Sequence, residues 1–247
     1  MKRLAFLIGG TYRASANRLS SVEEDIRAWR KFLTSPCGGS WTNGEIVDLS
    51  GKARNVIATE IRRGGDADYS LVCFSGRGRL VKDRFGFSTT KLFVNDRDEM
   101  MEDECNPGSP WCTMVFDCSH KCPARERAAF AGKMPGVSSP EDARVRFEEE
   151  LLKCETGLVV ACFADAGGTT ANKRSFSQAL LSVVRKRESY SDGVLRIDQA
   201  VRLAGNAMPK RHAPVYEGGS RVRHFPFALL PKDRPSARES KCGSADY

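Results

Sequence analysis

The chain has 247 residues, with 39 Lys+Arg against 31 Asp+Glu and a formal charge of +8 at pH 7. Its length suits one large or two small domains. A content of 40% apolar and 28% charged residues supplies a sizeable core and excludes global disorder and a coiled coil. The longest apolar runs, 4–8 and 157–163, fall well short of the roughly 20 residues a membrane helix needs. The apolar run near the N-terminus is also too short and wrongly flanked for a secretory signal. Nine cysteines make an odd set. Cys73, Cys118 and Cys162 lie inside apolar strand-like runs, where a thiol behaves as a small hydrophobe. A chain of this size needs no disulfide staples, so a reducing compartment, the cytoplasm, is expected. Basic residues are scattered through Arg62-Arg63, Arg77 and Arg79, Arg185-Lys186-Arg187, Lys210-Arg211 and Arg221 and Arg223, without interleaved aromatics. That pattern reads as a solvated surface, and nucleic-acid binding is the weaker alternative.

Strand-like runs alternate with helix-like periodicity. Residues 4–8 form a strand ending in Gly9-Gly10. Val22, Ile26, Trp29 and Leu33, spaced by three or four, predict a helix over 22–33. Ser20-Ser21 are candidate caps for it, with Glu23, Glu24 and Asp25 in the first turn, where the helix dipole favours negative charge. A strand over 45–49, a helix over 53–63 and a strand over 69–74 complete three βα repeats, the signature of a parallel sheet with helices on its faces. A hairpin is expected from 85–87 and 92–94. The uninterrupted apolar run 113–116 predicts a central strand buried on both faces. Residues 120–142 read as an exposed connection. A helix over 141–152, a strand over 158–163, helices over 175–184 and 195–203, and closing stretches at 212–216 and 225–229 follow. Residues 232–247 are a polar tail.

In such a sheet the functional residues gather at the carboxyl ends of the parallel strands. Those ends are Gly9-Gly10-Thr11, Ser75-Gly76-Arg77-Gly78, Asp117-Cys118-Ser119-His120 and Ala164-Asp165. The ordered set of residues 4–9, then Leu19 and Asp25, then Phe74-Ser75-Gly76-x-Gly78, then Val115-Phe116-Asp117-Cys118-x-His120, then 160–165 resembles a caspase-type peptidase domain, most of all the metacaspases. Residues 175–181 resemble the small-subunit helix of that family, and 213–215 with 225–227 its closing strand. The resemblance runs colinearly over about residues 3–230. It implies an α/β caspase-like three-layer sandwich with a mostly parallel central sheet and helices on both faces. It also implies one domain over 1–231, with a large-subunit-like part at about 1–122, an exposed linker at about 123–142 and a small-subunit-like part at about 143–231.

In the family the corresponding strand ends read Ser-Gly-His-Gly and Asp-Cys-Cys-His-Ser-Gly, with the histidine as general base and the second cysteine as nucleophile. Here Arg77 stands at the histidine position and Ser119 at the cysteine position. A cysteine works because a neighbouring imidazole draws it to the thiolate. A serine hydroxyl is far less acidic and needs a strong base, which a guanidinium, always protonated and without an acceptor lone pair, does not provide. His120 adjoins Ser119, but family members carry a histidine there beside a separate catalytic one. His212 and His224 have no sequence reason to lie near Ser119, and Cys118 reads as a core residue. The chain is therefore expected to be a catalytically inactive relative that acts by binding. The alternative is a cysteine-type endopeptidase cleaving after Arg or Lys through Ser119 or Cys118.

The resemblance further implies an acidic substrate pocket at Asp25, Ser75 and Asp117, two carboxylates suited to a guanidinium or ammonium group by charge-assisted hydrogen bonds. The expected partners are a protein, an active caspase or metacaspase paralogue among them, or a basic peptide. No cofactor is expected. Calcium serves many metacaspases, but the acids that follow the Ser-Gly-His-Gly strand are missing from 85–89, and Asp96, Asp98, Glu99, Glu102 and Asp103 read as a solvated loop. Cys105, Cys112, Cys118, His120 and Cys122 match no standard zinc spacing.

Overall fold

The computed structural model describes residues 1–10, 16–82, 88–118, 139–164, 175–186, 190, 192–208 and 214–230. In chain order the elements are β1 (Arg3–Gly9), α1 (Ala16–Thr34), β2 (Ile46–Asp48), α2 (Arg54–Arg63), β3 (Tyr69–Lys82), β4 (Ser88–Phe93), β5 (Glu99–Met101), β6 (Trp111–Cys118), α3 (Pro140–Leu152), β7 (Gly157–Ala164), α4 (Phe176–Val183), β8 (Val194–Arg196), α5 (Ile197–Asn206), β9 (Val215–Glu217) and β10 (Pro226–Leu229). The main sheet runs β2-β1-β3-β6-β7-β9. Its first five strands pair in parallel, and β9 closes it antiparallel to β7.

The two-residue period of a strand sends alternate side chains into two separate cores. Ala5 and Leu7 of β1, Leu71 and Cys73 of β3, Val115 of β6 and Ala161 and Phe163 of β7 pack with Trp29 and Phe32 of α1, Phe147 of α3, Phe176 and Leu180 of α4, and Val201 of α5. Phe6 and Ile8, Val72 and Phe74, Met114, Phe116 and Cys118 pack the other way, against Ile57 and Ile61 of α2 and Leu92, Val94 and Met100. The chain is thus a three-layer α/β sandwich around a mostly parallel sheet, as its strand runs predict.

Several boundaries differ from the sequence expectation. Helix α1 begins at Ala16, so Ser20 and Ser21 lie inside it, no acidic residue stands in its first turn, and Asp25 is an interior residue. Strand β3 extends to Lys82. Its outer half, Arg77–Lys82, pairs antiparallel with β4, so the hairpin is built from the continuation of β3. Residues 85–87 lie outside the described residues. Val194-Leu195-Arg196 form a strand against β10, and helix α5 starts only at Ile197. A short apolar run is compatible with either element until a pairing partner is available. The segment expected as a linker over 123–142 is described only from 139, and Pro140–Asp142 are the first turn of α3, capped by Ser139. The tail, 232–247, lies outside the described residues.

At the amino ends of the strands a buried ion network joins β1 to α3. Arg3 is 1% exposed, stacks 4.5 Å from the Trp41 ring and donates to the Gly39 carbonyl at 3.1 Å. Its Nε lies 3.6 Å from both Glu45 and Glu148. Arg144 pairs with the same two carboxylates at 2.7 and 3.1 Å.

Candidate functional site

The site is built where β6 ends beside the middle of β3, at the point where β3 leaves β6 and goes on to pair with β4. Their parallel register pairs Ser75 with Asp117 and Gly76 with Cys118. Cys73 and Val115 face the α1 layer. Ser75 and Asp117, two residues further on, continue that alternation and lie buried at 3% and 0% exposure. Asp25 meets them from α1. It occupies the helix's apolar stripe beside Ile26, Trp29 and Leu33, and is itself only 2% exposed.

The Asp25 carboxylate accepts three hydrogen bonds. Ser75 Oγ donates to Oδ2 at 2.8 Å, while Ser175 Oγ and Gln178 Nε2 donate to Oδ1 at 2.9 and 3.2 Å. Ser175 is also the N-cap of α4, accepting from the Gln178 backbone N–H at 3.1 Å. Asp117 Oδ2 accepts the Ser177 backbone N–H at 2.8 Å. Two carboxylates from distant elements therefore meet the first turn of α4, where exposed N–H groups and the helix dipole favour negative charge. Burial pushes the Asp25 carboxyl up to about 7, and the nearby Asp117 charge adds to this, against the lowering effect of its three donors.

The structure thus brings together Asp25, Ser75 and Asp117, all three proposed from sequence. The reading of Asp25 as a first-turn helix residue is corrected, since its position is interior and its contacts are tertiary. Ser175, Ser177 and Gln178 were not singled out. The signal for a tertiary carboxylate partner was a charged residue inside the i, i+3, i+4 stripe of α1, where burial requires donors from elsewhere.

Arg77 follows directly on the Gly76–Cys118 pair and is the first residue of β3 to pair with β4, opposite Phe93. Ser119, His120 and His212 lie outside the described residues. His224 is engaged elsewhere, with Nδ1 2.6 Å from the Tyr216 hydroxyl and Nε2 3.9 Å from Asp198 on α5. Cys118 is fully buried among the α2-side core residues, and burial pushes its thiol well above the ordinary range. The glycines of the motif have steric reasons. A Cβ at Gly78 would sit 2.9 Å from Cys118 Sγ, and one at Gly10 would sit 2.3 Å from the Phe93 carbonyl oxygen.

In the acidic run after β4, Asp98 and Glu99 have internal partners, as does the neighbouring Glu104. Asp98 accepts from Asn95 Nδ2 and the Arg54 N–H, Glu99 pairs with Lys91 and Arg79, and Glu104 pairs with Arg54. Among the described residues no group of three or more His, Cys, Asp or Glu side chains is placed to hold a metal ion, and no helix is long and apolar enough to cross a membrane.

No protein-family model matches the chain, and no curated protein matches it in sequence. In structure it is similar to protein GSU0716 from Geobacter sulfurreducens, with TM-score 0.55 and 14% identity over 93% of this chain and 100% of that one. It is also similar to the Drosophila initiator caspase Dronc, with TM-score 0.53 and 12% identity over 87% of this chain and 78% of that one. With the sheet order above, these likenesses establish a caspase-like fold.

Proposed function

We propose that this caspase-like protein has lost the peptidase dyad and acts by binding, either regulating or scaffolding an active relative or holding a basic peptide without cleaving it. The observation that carries the reading is Arg77. It stands where β3 parts from β6, at the position that the family resemblance gives to the general base, and its guanidinium has no lone pair with which to take a proton. The burial of Cys118, which pushes its thiol well above the ordinary range, supports the absence of a replacement nucleophile. The paired carboxylates of Asp25 and Asp117 beside Ser75 support a basic ligand. Strand β9, the last of the main sheet path, leaves Val215 54% exposed and supports pairing with a protein partner at that edge. Placement in the cytoplasm belongs to the same proposal and rests on cysteines buried as free thiols.

The deciding experiment incubates the protein with fluorogenic Arg and Lys peptides, with and without calcium. The expected result is no turnover that depends on Ser119 or Cys118. Turnover abolished by Ser119→Ala would overturn the reading in favour of an active endopeptidase. The double substitution Arg77→His with Ser119→Cys then reports on the pocket, since gain of cleavage after Arg or Lys shows that it still accepts a basic side chain.

A further inference from the structure

The hydrogen bonds on Asp25 are unevenly shared between its two oxygens. A carboxylate offers about four lone-pair positions, two on each oxygen. Among the described residues, Oδ1 accepts from both Ser175 Oγ and Gln178 Nε2, so both of its positions are taken by the cap and first turn of α4, whereas Oδ2 accepts only from Ser75. A guanidinium held side-on needs one free lone pair on each oxygen. Asp25 in this arrangement has room on Oδ2 and none on Oδ1. Asp117 Oδ2 also accepts from the first turn of α4, through the Ser177 N–H.

We propose that Ser175 and Gln178 are an internal latch: they hold the first turn of α4 on Asp25 Oδ1 and must let go before a cationic side chain can be gripped by the Asp25–Asp117 pair. The latch rests on the basic-ligand reading above and adds its control. Entry of a cation and retention of the α4 turn compete for the same oxygen. The closed form keeps the carboxylate solvated by the protein's own hydroxyl and amide, which removes the cost of an unpartnered buried acceptor. Both latch residues lie on the small-subunit-like side of the fold, so a partner that moves α4 would also open the pocket.

The test compares binding of N-acetyl-arginine amide to the wild-type chain and to the Gln178→Ala and Ser175→Ala variants, by calorimetry at pH 8. Gln178→Ala leaves the Ser175 cap of α4 intact and remains informative if Ser175→Ala unfolds the turn. Removing one donor to a charged group should tighten binding by about tenfold, and Asp25→Asn should abolish it in every background. Equal affinity in wild type and variants, or weaker binding in the variants, overturns the latch while the basic-ligand reading stands. Absence of binding in all chains, or binding that survives Asp25→Asn, overturns that reading and the latch together.

Discussion

Ser175 donates its hydroxyl to Asp25 Oδ1 at 2.9 Å across 150 positions of sequence. This contact joins the cap of a helix late in the chain to the apolar face of the first helix, and it works against the two larger effects that decide how Asp25 responds to pH. Burial and the Asp117 charge raise the Asp25 carboxyl from 3.8 to about 7. Between those values the folded chain keeps a proton that the unfolded chain has released, so this group's contribution to stability falls as pH rises through that window. Urea unfolding of wild type and Asp25→Asn at pH 5 and pH 8 should show the wild type losing on the order of 1–3 kcal/mol more than the variant. An identical loss in both chains would show that Asp25 is ionised throughout.

Cys73 and Cys118 are buried on opposite faces of the sheet, and burial raises both thiols well above the ordinary range. Iodoacetamide labelling read by peptide mapping should leave both unmodified in the native protein at pH 8 and modify both after denaturation. Rapid native labelling of Cys118 would revive it as a nucleophile.

Arg3 holds Glu45 and Glu148 in a nearly closed site. Arg3→Met leaves Glu45 with Arg144, and Glu148 with Arg144 and the N-terminal ammonium, and should cost on the order of 3 kcal/mol of stability in denaturant unfolding. Burial alone would raise the Glu45 carboxyl. The Arg144 hydrogen bond, the Thr42 N–H and the Arg3 charge outweigh it and bring the group from 4.5 to about 2. Its stabilising contribution is therefore complete above pH 4.5 and is lost as pH falls through about 2, so acid unfolding of Arg3→Met should begin at higher pH. An unchanged acid midpoint would show that Arg144 suffices.

A methyl group at position 78 would meet Cys118 Sγ at 2.9 Å and the Lys91 carbonyl oxygen at 3.2 Å. Gly78→Ala should destabilise by roughly 1–3 kcal/mol, and Cys118→Ala in the same chain should recover part of that loss. Thermal unfolding of the two chains checks the coupling, and the absence of any recovery would place the clash on the backbone instead.

The sequence by itself determined the layer architecture. Uninterrupted apolar runs such as 113–116 mark strands covered on both faces, and the two-residue alternation in β1, β3 and β6 separates the two cores, because side-chain direction along a strand is a local property. It also marked Ser75, Asp117 and Arg77 as the residues that follow apolar runs, since the end of such a run is visible in the run itself, although only Asp117 lies near the end of its strand. Only the tertiary structure decided the rest. The start of α1 at Ala16, the strand character of Val194–Arg196 and the continuation of β3 to Lys82 depend on partners that the local sequence does not contain. The role of Ser175 and Gln178 was the least visible. A serine before a helix signals a cap, and that much is local. That its hydroxyl also completes the coordination of a carboxylate 150 residues earlier follows from the packing of α4 on α1, because a buried charge takes its donors from whatever the fold brings beside it.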